Sequence, residues 1–171
     1  NRGFTYNSLK QYDKAISDYT QAIKIAPLLS TGYTNRGTSY YLTKEYDKAL
    51  VDFTQAIKIN PKDIDAFAGR AYTYTMLKQF DKAIADFTKA IKLNPKYAWA
   101  YGNRGSAYYS LHRLDKALAD YNQALLLDSH FTWAYVNRGW LYYDLKQYDK
   151  ALWDFNKAID LDPKNAYALD G

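Results

Sequence analysis

The chain contains no cysteine, which excludes a disulfide framework, thiol catalysis and Cys-ligated zinc but leaves reducing and oxidising compartments equally open. It also lacks any apolar run near the roughly 20 residues that a membrane-spanning helix needs. Residues 1–10 show neither the charged start nor the apolar stretch of a signal peptide. No membrane partner is expected, and the localisation is left open with the cytoplasm as the favoured default. Proline is scarce at four residues, and neither a glycine-rich phosphate loop nor an H-E-x-x-H zinc motif is present. What the chain has in quantity is aromatic: 18% of its residues, within 48% hydrophobic and 24% charged. That is the balance of a folded chain, since a disordered one lacks the apolar surface to offset its ordering entropy.

Asn-Arg-Gly stands at positions 1, 35, 103 and 137, with Gly69-Arg70-Ala71 between, a period of 34 residues without insertion or deletion. Other columns keep the same register: Ala15, Ala49, Ala83, Ala117 and Ala151; then Ala22, Ala56, Ala90, Ala124 and Ala158. Pro27, Pro61, Pro95 and Pro163 obey it too, with Ser129 in the vacant place. Each unit reads as two helices. In the first, over residues 31–42 of one copy, Tyr33, Arg36, Gly37 and Tyr40 recur at helical spacing. The second is expected to open on Asp13, Asp47, Asp81, Asp115 and Asp149, whose side chains suit a capping position and a positive helix end. Asn60-Pro61, Asn94-Pro95 and Asp162-Pro163 stop it, because proline removes a donor and disfavours helical geometry before it.

With Tyr33, Gly37, Tyr40, Ala49, Phe53, Ala56 and Pro61 in one copy, the chain resembles the tetratricopeptide repeat (TPR) family over its whole length. The resemblance implies an all-α, right-handed superhelical solenoid of antiparallel helix pairs, read as a single array. Repeat 1 is partial at 1–29, repeats 2 to 5 span 30–63, 64–97, 98–131 and 132–165, and a sixth unit starts at 166–171. Two columns depart from the family pattern. Arginine fills the column before the glycine in all five copies, Ala71 standing in the glycine place of the third, and Lys10, Lys44, Lys78, His112 and Lys146 replace the glycine of the inter-helix turn, where a non-glycine residue resists positive φ. The in-phase ends lead us to expect either excision from a longer chain or homo-oligomer contacts through uncapped ends.

Arg2, Arg36, Arg70, Arg104 and Arg138 form one column, and Asp18, Asp52, Asp86, Asp120 and Asp154 another, 16 residues apart. A cationic ladder for acidic partners is one reading. Charge pairs within repeats, Arg36 with Asp52, Arg70 with Asp86, Arg104 with Asp120 and Arg138 with Asp154, are the preferred one. Lys14, Lys48, Lys82, Lys116 and Lys150 follow the capping aspartates, and Lys24, Lys58 and Lys92 recur late in the second helix. They read as a solvated exterior in preference to a phosphate-binding surface.

In TPR proteins the first helices line a concave groove, and the resemblance places there Thr31, Asp65, Trp99, Trp133 and Tyr167; Phe4, Thr38, Tyr72, Ser106 and Trp140; Asn7, Tyr41, Thr75, Tyr109 and Tyr143. Aromatics dominate, and large rings are frequent binding hot spots, although about half of such a stripe ordinarily packs between repeats. Trp99, Trp133 and Trp140 are the leading contact residues. Asn35, Asn103 and Asn137 could pair with a peptide backbone, donating and accepting at once, or contact only water and their neighbours; Gly69 interrupts them. The groove columns carry no lysine, and Asp65, Asp144 and Asp170 make them neutral to acidic, so acidic chaperone tails are not expected as ligands.

His112 and His130 fall in turns without metal-ligand spacing, and Asp128-Ser129-His130 holds triad residue types only as sequence neighbours. No catalytic residue, metal or cofactor is expected. The chain reads as a non-catalytic scaffold for a protein or peptide ligand. A head-to-tail self-assembling module is the alternative. An RNA-binding array is disfavoured because aromatics and lysines map to different faces.

Overall fold

The structure, a computed structural model, describes residues 2–163. Asn1 and residues 164–171 lie outside the described residues, and with them the start of a sixth unit, Tyr167 and Asp170. Ten helices follow one another: α1 (Arg2–Ser8), α2 (Tyr12–Ile25), α3 (Ser30–Leu42), α4 (Tyr46–Ile59), α5 (Ile64–Met76), α6 (Phe80–Leu93), α7 (Ala98–Ser110), α8 (Leu114–Leu127), α9 (Thr132–Asp144) and α10 (Tyr148–Leu161). There is no strand among the described residues. The chain divides into two compact units, Asn1–Asn94 and Pro95–Gly171. In the first unit α1 packs on α2, α3 on α4 and α5 on α6, with α2 against α3 and α4 against α5. In the second, α7 pairs with α8, α9 with α10, and α8 packs on α9.

The turn inside each hairpin keeps the geometry its sequence resists. Lys10, Lys44, Lys78, His112 and Lys146 all adopt positive φ, between 54° and 64°. After α3, the Lys44 amide donates to the Tyr41 carbonyl at 3.0 Å and the Glu45 amide to the Tyr40 carbonyl at 2.8 Å. This pair of bonds is a Schellman motif, which satisfies the last helix carbonyls only when the residue after the cap is left-handed. The same two bonds recur after α1, α5, α7 and α9. Because the turn is so short, the cap of the second helix falls two residues earlier than the aspartates suggest. Gln11, Glu45, Gln79, Arg113 and Gln147 occupy the cap positions and make no side-chain capping bond. Asp13, Asp47, Asp81, Asp115 and Asp149 sit in the first turn instead, where they act through the helix dipole. An aspartate side chain does cap α5: Asp63 accepts from the Ala66 amide at 3.0 Å.

The hairpins close on small residues facing rings. Ala49, Phe53, Ala56 and Ala66 form a buried cluster with Tyr33, Tyr40, Tyr41 and Ile57 around it. Ala117, Tyr121 and Leu141 form another, and Ala124, Leu125, Ala134, Tyr135 and Ala158 a third. Gly139 meets the Phe155 ring so closely that a Cβ there would lie 2.6 Å from its edge. Gly69 is under the same constraint from Phe53, so the gap in the asparagine column is where the ring of the preceding repeat leaves no room for a side chain.

Candidate binding face of the first helices

Each arginine of the repeated column holds its hairpin together. Arg36 donates through Nε and Nη2 to both carboxylate oxygens of Asp52, at 2.7 and 2.8 Å. Arg70 does the same to Asp86, Arg104 to Asp120 and Arg138 to Asp154, all within 2.8 Å. Arg2 pairs with Asp18 in the first, more exposed hairpin. Both sides of the planar guanidinium fork match the carboxylate, and the bonds to Asp52 hold the Arg36 guanidinium above its ordinary pKa. A further bond ties three of these repeats to the one before: Arg36 Nη1 donates to Thr20 at 3.1 Å, Arg70 Nη1 to Thr54 at 3.1 Å and Arg138 Nη1 to Asn122 Oδ1 at 2.6 Å. The sequence carried a signal for it, a Thr or Asn two positions after each pairing aspartate.

The arginines of this column are therefore engaged by their aspartates, and they also lie against tyrosine rings. Arg36 lies over the Tyr33 and Tyr40 rings, Arg104 over Tyr101 and Tyr108, and Arg138 over Tyr135 and Tyr142, at 5.5 to 5.9 Å. Lys48, Lys82, Lys116 and Lys150 lie over Tyr40, Tyr74, Tyr108 and Tyr142 in turn. These lysines cover tyrosine rings at an exposed hairpin edge, a packing role for which the charge pattern alone gave no hint.

The candidate contact residues divide by unit. In the first, Tyr41 lies 6.0 Å from Tyr46 and 6.5 Å from Tyr72, and Tyr72 stands edge-on to Phe87 at 5.3 Å. Both are half-buried and occupied in packing between neighbouring helices. Asn35 is likewise half-buried. In the second unit the rings are open: Trp99 is 49% exposed, Trp133 39%, Trp140 41% and Tyr143 52%. Trp133 stacks on Phe131 at 5.7 Å and reaches back over Gly102. Trp140 stands edge-on to Tyr143 and Phe155, which supports its orientation. Trp99 and Asn103 lie four apart on α7, and Trp133, Asn137, Trp140 and Asp144 are spaced 4, 3 and 4 along α9, so each set shares one helix face.

Two details bear on what this face can bind. Asn103 Nδ2 donates to its own helix, to the Trp99 carbonyl at 2.8 Å, and Asn137 Nδ2 to the Trp133 carbonyl at 2.7 Å. Their amides thus spend one donor internally and keep the second N–H and the Oδ1 acceptor for other partners. The Tyr109 hydroxyl donates to the Asp144 carboxylate across from α7 to α9. Burial first, and then this hydrogen bond, push the Tyr109 pKa up to about 12, so the hydroxyl stays a donor that orients the carboxylate.

Around His130, Asp128 accepts from the backbone amide at 2.9 Å, not from the ring. No group of three or more His, Cys, Asp or Glu among the described residues is placed to hold a metal, and no described helix is long and apolar enough to cross a membrane.

The sequence profile of the tetratricopeptide repeat matches residues 1–27, 30–63, 64–97, 98–131 and 132–165. No match is found among curated protein sequences. Among solved structures, MamA superposes with a TM-score of 0.85 at 24% identity, over 98% of this chain and 98% of that one. YrrB, described as a TPR protein with an unusual peptide-binding site, gives 0.79 at 24% identity, over 98% of this chain and 87% of that one. A thermophilic TPR protein of Thermus thermophilus gives 0.78 at 23% identity, over 95% and 89% of the two chains. At these identities the likeness is one of fold.

Proposed function

Because this chain belongs to the tetratricopeptide repeat family, whose folds serve as protein-interaction scaffolds, we propose that it is a non-catalytic scaffold that holds a peptide segment or partner protein against its first helices. The observation that carries this reading is the run of half-exposed indoles Trp99, Trp133 and Trp140 with Tyr143 on α7 and α9. Large rings left open to water on supported positions are what hot spots are made of, since their area is desolvated on binding at little cost in side-chain entropy. Asn103 and Asn137, presenting Oδ1 beside those rings, accept from the amides of an extended segment. Tyr41, Tyr72 and Asn35 contribute to the shape of the first unit's face more than to contact. The reading rests on these residues and not on the peptide-binding site of YrrB.

The test is affinity capture from native lysate, after nuclease treatment, with the wild-type chain beside a Trp99→Ala, Trp133→Ala, Trp140→Ala variant whose helicity and unfolding midpoint are checked in parallel. A protein retained by the first and lost from a folded variant is the expected result. Identical capture by both overturns the assignment of the face. A head-to-tail assembly instead predicts mass increasing with concentration in light scattering, and RNA binding predicts a steep loss of affinity with salt.

A further inference from the structure

The partner's chemistry can be narrowed from the charges around this face, on the premise that the face is where a partner binds. The first helices of the second unit carry one cation each, Arg104 on α7 and Arg138 on α9. Both are committed to buried aspartates, Asp120 and Asp154. These two arginines lie over Tyr101, Tyr108, Tyr135 and Tyr142. Among the described residues no cation lies over Trp133, Trp140 or Tyr143, which contact other rings. The π faces that this protein elsewhere pairs with its own Arg and Lys are thus left without a cation where they are open to solvent.

Asp144 stands at the end of the same stripe. It is the last residue of α9, where a negative charge opposes the helix dipole, and the corresponding positions of the other repeats are Ser8, Leu42, Met76 and Ser110. It is exposed, and the protonated Tyr109 hydroxyl fixes it from the neighbouring first helix. A carboxylate held at an electrostatically unfavourable helix end, one turn from an exposed indole, breaks a local rule that the other four repeats respect, and such breaks mark functional positions.

We propose that the α9 stripe of Trp133, Asn137, Trp140 and Asp144 receives a peptide segment carrying an arginine or lysine side chain, the cation lodging against the Trp140 ring and pairing with Asp144. The indole supplies the quadrupole attraction and the carboxylate a charge-assisted hydrogen bond. Among the described residues the cations of α7 and α9, Arg104 and Arg138, are both ion-paired, so neither repels a cationic ligand, and Asp144 discriminates against acidic segments.

The experiment is selection of a random dodecapeptide phage library on the immobilised full chain, followed by binding of the enriched peptides, made synthetically, to wild type, to a Trp133→Ala, Trp140→Ala variant and to Asp144→Asn. The last keeps the shape of the site and an acceptor for Tyr109, and its exposure leaves the fold intact. The expected result is enrichment in Arg and Lys among peptides that the indole variant loses. Their affinity should fall about 5- to 30-fold on Asp144→Asn, and by a similar factor on replacing the peptide arginine with citrulline. Peptides that depend on the indoles but carry no cation, or bind Asp144→Asn as well as wild type, overturn this inference while leaving the face as a binding surface. If no enriched peptide distinguishes a folded indole variant from wild type, both the inference and the proposed function fall.

Discussion

Lys44 holds φ at 64° in the turn between α3 and α4. A side chain in the left-handed region brings Cβ against the following carbonyl, at a cost of about 1–2 kcal/mol. Lys44→Gly removes that contact, keeps the two Schellman hydrogen bonds from residues 44 and 45, and gives back roughly 0.5–1 kcal/mol through the greater freedom of glycine in the unfolded chain. The net expectation is a stabilisation of about 0.5–1 kcal/mol. Lys78 repeats the geometry at φ 56°, far enough along the chain for the two effects to add, so the double glycine variant should gain about 1–2 kcal/mol. In a chain of this size that is a rise of roughly 2–8 °C in midpoint. The assay is urea and thermal unfolding of the full chain followed by circular dichroism. Lys44→Ala serves as the control, because it removes the same charge and the same long side chain while leaving a Cβ at positive φ; it should stay within about 0.5 kcal/mol of wild type. If Lys44→Gly proves no more stable than Lys44→Ala, the claim that these turns hold a strained left-handed residue is refuted.

Arg138→Leu should cost about 3–5 kcal/mol, because it strands the fully buried Asp154 carboxylate. The Arg138→Leu, Asp154→Leu double variant should lose far less than the sum of the singles, and additive losses in urea unfolding would count against the pair as a unit. Tyr19→Phe should stabilise by about 1 kcal/mol, since the Tyr19 hydroxyl is buried without a hydrogen-bond partner among the described residues and three of the four matching positions, Phe53, Phe87, Tyr121 and Phe155, are phenylalanine; a fall in midpoint would show that the hydroxyl has a partner. Gly69→Asn restores the asparagine column but sets a Cβ against the Phe53 ring, and should destabilise by about 1–3 kcal/mol; a neutral result would mean that the ring moves aside freely. Tyr109 has a folded pKa raised to about 12 from an ordinary 10. Its contribution to stability is therefore complete below pH 10 and lost as pH rises through 12. Alkaline unfolding of Tyr109→Phe should lack that component, and coincident alkaline transitions in the two proteins would refute the coupling to Asp144.

Much of the fold was legible because a 34-residue period repeats every local decision five times. The helix pairs, their proline stops and the small residues beneath rings are all short-range patterns that recur in register. A hairpin of constant length also explains why arginine and aspartate columns 16 residues apart meet in every repeat. The helix starts were less legible. An aspartate near a helix start satisfies either a cap or a first-turn position, and only the left-handed residue before it decides which.

The sequence by itself determined the TPR architecture, the repeat register and the absence of thiol chemistry, because periodicity, composition and residue identity are properties of the chain. Tertiary structure alone decided which aromatics are spent in packing and which stand open, since Tyr41 and Trp140 belong to equally aromatic stripes and differ only in what neighbouring helices place over them. It also decided that Arg36, Arg70 and Arg138 bind back to the preceding repeat, that Asn103 and Asn137 turn a donor onto their own helix, and that Tyr109 reaches Asp144. Each of these depends on the distance between residues brought together by stacking, a quantity that a linear pattern does not contain.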